Sequence, residues 1–129
     1  LAARHPRRVA AGPLMLVWLT SLALAAAPLE TSAVAGYYEC HQMEMAGAIE
    51  LAASGRFRYA FDYGAVSEAA EGRWSRREGM VNLTSDVPTS RLDPERSIAN
   101  FVGEALAVDG DMLVLRRYDA IIRFEKIKP

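Results

Sequence analysis

The chain is 129 residues long, 51% hydrophobic and 24% charged, with a formal net charge of −1 and one cysteine. That length excludes two full domains once a distinctive N-terminal third is set aside. No block of like charge occurs, so nothing favours nucleic acid or an anionic membrane surface, and a lone cysteine leaves the core to hold the fold without a disulfide.

The N-terminus carries Arg4, Arg7 and Arg8, followed by an apolar run over residues 14–27 (LMLVWLTSLALAAA) broken only by Thr20 and Ser21. Basic, apolar and small-residue regions in that order predict a secretory signal peptide. The run spans about 14 residues, short of the roughly 20 that a transmembrane helix needs. Two A-x-A sites compete. Ala25-Ala26-Ala27 would leave Pro28 at the new N-terminus, whereas Ala33-Val34-Ala35 would leave Gly36, directly before the first strand-like residues. The second is the expected site, with a site one or two residues inside Ala23–Ala27 as the alternative. This divides the chain into a cleaved leader helix at 1–35 and a mature domain at 36–129. Losing Arg4, Arg7, Arg8 and Glu30 leaves 12 basic against 15 acidic residues, a net charge of −3. Tyr38 and Glu39 before Cys40 are not lipobox residues. The expected product is therefore periplasmic or secreted, without a stable membrane span after cleavage.

From Gly36 onward the patterning has period two almost everywhere. Residues 36–45 (GYYECHQMEM) read as one strand, with Tyr38 and Cys40 on one face and Tyr37, His41, Met43 and Met45 largely on the other. Ala46-Gly47 reads as a bulge or bend, and Ser54-Gly55 as a hairpin turn. In residues 56–63, Phe57, Tyr59, Phe61 and Tyr63 share one face. Residues 65–70 fit either a short helical turn by propensity or a hairpin connection. Trp74 anchors the return strand, and Glu78-Gly79 turns into a strand with Val81 and Leu83 inward. Residues 86–97, holding Pro88 and Pro94, predict an irregular loop. Strands are then expected over 101–108, 112–118 and 121–128, with turns at Asp109-Gly110 and Tyr118-Asp119-Ala120. Such a sequence predicts an all-β domain, a meander of seven or eight antiparallel strands closed or nearly closed into a small barrel.

Glycines punctuate the strand starts, at Gly36-Tyr37-Tyr38 and Gly72-Arg73-Trp74. Between these lies Leu51-Ala52-Ala53-Ser54-Gly55-Arg56-Phe57, and after them Gly79-Met80-Val81-Asn82-Leu83. Over residues 36–85 this pattern resembles the lipocalin-like small barrels of bacterial envelope proteins, including the N-terminal domain of the copper-resistance envelope lipoproteins. The lipobox and the CxxC pair of those copper-linked proteins are absent here. The resemblance implies an envelope β-barrel.

Two constellations could carry chemistry. Tyr38, Tyr59, Phe61, Tyr63 and Trp74 could line a cavity for a small apolar ligand, or fill the barrel themselves. His41, Met43 and Met45 offer imidazole and thioether ligands of the kind that suits Cu(I), against a plain reading as strand and surface residues. Glu68 and Glu71 are the one acidic pair placed near a pocket mouth. His41 is the sole histidine after the leader, which argues against a catalytic triad. The expectation is a non-enzymatic exported barrel, without a resident cofactor, that binds a small apolar ligand or an envelope partner. Copper handling, or a structural and interaction role with a filled core, is the alternative.

Overall fold

The computed structural model describes residues 33–87 and 94–129; the expected leader, as far as residue 32, lies outside them. The alternating sequence folds into β1 (Gly36–Gln42), β2 (Met45–Leu51), β3 (Arg56–Tyr63), β4 (Val66–Arg77) and β5 (Met80–Ser85). A short β6 (Ser97–Ile98) precedes β7 (Glu104–Asp109), β8 (Met112–Arg117) and β9 (Ala120–Lys126). Eight strands close an antiparallel barrel in the order β1-β2-β3-β4-β5-β7-β8-β9, with β9 returning to β1 through Tyr38↔Lys126 and Glu39↔Glu125. Closure removes the long free edges that an open meander would expose. β6 lies parallel to β4, pairing Ser97 with Glu68 and Ile98 with Ala69.

The register puts every second side chain inside. Phe57, Phe61, Phe101, Phe124, Leu113 and Ile122 are among the fully buried residues. At about 25 cal/mol per Å² of apolar surface, a set of this size is the main term holding the fold together.

Several local expectations are corrected. The strand expected over 36–45 is a hairpin: β1 stops at Gln42, which pairs with Met45, and Glu44 takes a left-handed φ of 62° at the turn. Gly47 makes no bulge and pairs regularly with Cys40 and Phe61. Gly64-Ala65 form the turn and residues 66–70 are strand rather than helical turn, because the ladder from Tyr63↔Val66 to Arg56↔Arg73 satisfies their backbone. The strand expected from 101 starts at Glu104. Phe101 is held in the preceding loop, where its carbonyl accepts from the Ser85 backbone N–H at 2.8 Å and its own N–H donates to Ser85 Oγ at 3.0 Å. The turn expected at Asp109-Gly110 sits one residue later, since Asp109 pairs with Met112.

Alternating strand direction sorts the connections into two rims. One rim carries the β1–β2, β3–β4 and β8–β9 turns and the long β5–β7 connection; we call it the loop rim. The other carries the β2–β3, β4–β5 and β7–β8 turns, the start of β1 and the end of β9.

Candidate functional site

Tyr38, Tyr59, Phe61 and Trp74 all point inward and are buried, and Tyr63 packs against them half-buried near the loop rim. The fold places this set in one core, where the rings of Tyr59, Phe61 and Tyr63 meet one another and Phe101 and Phe124. Tyr59 stands edge-on to Phe101 at 5.0 Å between centroids, and Phe61 lies 6.3 Å from both Tyr59 and Tyr63. Their polar atoms are engaged too. Tyr38 donates to the Val34 carbonyl at 2.6 Å, Tyr59 to Glu68 Oε2 at 2.6 Å, and the Trp74 indole to the Ala52 carbonyl at 2.8 Å. Among the described residues no buried side-chain nitrogen or oxygen lacks a partner. A ligand pocket needs a few polar groups aimed into free space; here those groups are spent on the protein.

His41, Met43 and Met45 are not brought together. The β1–β2 turn sets His41 on the outer wall, hydrogen-bonded to Glu39 at 2.9 Å. Met43 sits at the turn, 90% exposed, while Met45 turns inward against the core. The single-strand geometry that would align them is broken at Glu44. Among the described residues no cluster of three or more His, Cys, Asp or Glu could hold a metal ion. Cys40 is fully buried, and burial raises its thiol pKa, which keeps it a protonated core residue.

The polar group that the fold does bury is Glu68, at 2% exposure. β4 places it inward opposite Phe61. Its carboxylate accepts from Tyr59, from Arg117 Nε at 2.8 Å and Nη2 at 2.9 Å, and from the Tyr118 hydroxyl. The Arg117 guanidinium in turn lies 5.1 Å over the Phe101 ring and 4.9 Å over the Tyr118 ring, a face that attracts a cation. Burial disfavours the Glu68 charge, but the hydrogen bonds from Arg117, Tyr118 and Tyr59 outweigh it and hold the pKa below its ordinary value. Tyr59 is pushed far up, by burial first and by Glu68 second. Glu68 is therefore a fixed anion. With its oxygens bonded to three partners it is poorly placed to take or give a proton in catalysis. Glu71, three residues on, leaves the opposite face and is exposed, so the two glutamates form no acid–base pair.

A second polar cluster sits beside the first on the loop rim. Arg96 grips Asp62 with two bonds of 3.1 Å, and Ser67 donates to Asp62 at 2.8 Å. Together the two clusters pin the β3–β4 turn, the β8–β9 turn and the chain entering β6. Met43, Val87, Val102 and Tyr118 are exposed apolar side chains on this rim; Tyr37 and Ile127 are exposed at the opposite one.

No protein-family model, curated protein or solved structure matches this chain. The site's own geometry has to supply the functional reading. Among the described residues no helix is long and apolar enough to cross a membrane.

Proposed function

We propose that this protein is an exported, non-enzymatic β-barrel of the lipocalin-like envelope type, and that it binds an envelope partner through its loop rim. The observation that carries this reading is the contrast between inside and rim. The interior aromatic residues spend their polar atoms on the protein itself, whereas the loop rim leaves Met43, Val87 and Val102 79–90% exposed around a charged framework that is already internally satisfied. Exposed apolar side chains at one end of a barrel are what a protein interface uses as anchors. The saturated Glu68 supports the non-enzymatic part.

Photo-crosslinking in the native envelope tests it. A crosslinker replacing Met43 or Val102 is expected to trap one discrete adduct, and a crosslinker at Gly110 on the opposite rim is expected to trap none. Equal labelling from both rims would reject the reading. Native mass spectrometry of the purified protein is expected to read the apo mass; a co-purifying small molecule would restore the interior-ligand alternative.

A further inference from the structure

Val34 belongs to the barrel. It is 3% exposed, packs with the core, and its carbonyl accepts the 2.6 Å hydrogen bond from the Tyr38 hydroxyl, on a residue itself only 3% exposed. The bond lies beside the seam where β9 returns to β1. β1 meets β9 through only two register pairs, against seven between β1 and β2. One of those two pairs is Tyr38 with Lys126, whose ammonium also stands 5.8 Å from the Tyr38 ring. Cutting after Ala35 would remove a core side chain and strip a buried hydroxyl of its acceptor at the point where the barrel closes. A buried polar group left without its partner is destabilising.

We propose that the mature protein keeps Val34, and that signal peptidase acts upstream, within the small-residue run at 23–27, where Ala23-Leu24-Ala25 supplies a further A-x-A site. Val34 is then part of the mature domain and plugs the rim opposite the loops. This inference rests on the reading that the chain is exported.

The test uses the full chain, exported and purified from the periplasm, as wild type, Val34→Ala and Tyr38→Phe. N-terminal sequencing and intact mass are expected to place the mature N-terminus between residues 24 and 28. Val34→Ala is expected to lower the melting temperature of the exported protein by about 5–10 °C, as loss of a buried side chain does in a domain this small. A mature N-terminus at Gly36 overturns the inference, and so does an exported Val34→Ala protein that melts with wild type, because a residue already removed cannot affect stability. Tyr38→Phe separates the hydroxyl from the ring and is expected to give a smaller loss. An intact mass beginning at Leu1 would count against export instead, and the Val34→Ala melt would still decide whether Val34 is a plug.

Discussion

Phe61 shows how tightly the inner face is fitted. Its ring lies over Gly47, where a Cβ would stand 2.9 Å from Phe61 Cδ1 and 2.8 Å from the Ala60 carbonyl oxygen. The glycine on β2 is thus the complement of the ring on β3, and a side chain there would force the ring and the β3 backbone to shift. Phe61→Ala is expected to cost about 3–5 kcal/mol, measured by urea denaturation. A variant of unchanged stability would return the ring to the role of an exposed binding surface. The shared face of Phe57, Tyr59, Phe61 and Tyr63 was legible from their spacing alone. What fills the space in front of them was not, because Phe101 reaches it from a loop some 40 residues later. Glu68 was legible in principle. It shares the inward parity of Ala70, Gly72 and Trp74, as Arg117 shares that of Leu113 and Leu115. Opposite charges on the inward register of two strands are a signal for a buried pair, since neither is tolerated there alone.

Among the strands, β4 has the hardest geometric task. Over Val66–Arg73 it pairs with β3, and over Gly72–Arg77 with β5. The overlap falls on Gly72 and Arg73, and at Gly72 an added Cβ would lie 2.1 Å from the Thr84 carbonyl oxygen and 2.9 Å from the Asp86 nitrogen. Both neighbours are backbone, so relief requires the ladder itself to move. Gly72→Ala is expected to destabilise by about 3 kcal/mol, the upper end for overpacking, and to weaken the amide protection of Ser85 and Asp86 in hydrogen exchange. Unchanged protection there would show that β5 does not approach β4 so closely. The sequence marks the glycine as a strand start, but it lies inside β4, and its steric reason needs the partner strand. The same limit explains β6 and the late start of β7. Two-residue β6 is defined by its pairing to β4, and the strand-like pattern near Phe101 gives way because Ser85 captures its backbone. Alternation and turn residues sufficed to place β3, β5, β8 and β9 within a residue or two, whereas the β1–β2 turn and the early start of β4 were not legible from them.

Across the whole barrel, Glu68 and Arg117 join β4 to β8, strands separated in the sheet by β5 and β7. The pair therefore ties two parts of the wall that backbone ladders do not connect directly, with Tyr59 and Tyr118 closing the ring around it. This gives barrel stability a defined dependence on pH. Glu68 titrates below its ordinary value of 4.5 in the folded protein, so the folded state binds its proton less readily than the unfolded chain does. Its stabilisation is complete above about pH 4.5 and is lost as pH falls through the lower folded value. Glu68→Gln removes that charge and leaves Arg117 without its anion. The variant is expected to be about 3 kcal/mol less stable at pH 7, the low end for a broken buried pair, because the Arg117 side chain keeps 23% exposure. Glu39, Asp62 and Asp86 are also held low, by His41, by Ser67 with Arg96, and by Arg56, respectively. They remain in both proteins, so their acid dependence cancels in the difference. Urea midpoints of wild type and Glu68→Gln should run parallel from pH 7 to 5 and then converge as pH falls below 4.5. Curves that stay parallel through pH 3 would mean that Glu68 titrates alike in the folded and unfolded chain, and the four-residue ring would then hold its charge no better than water does.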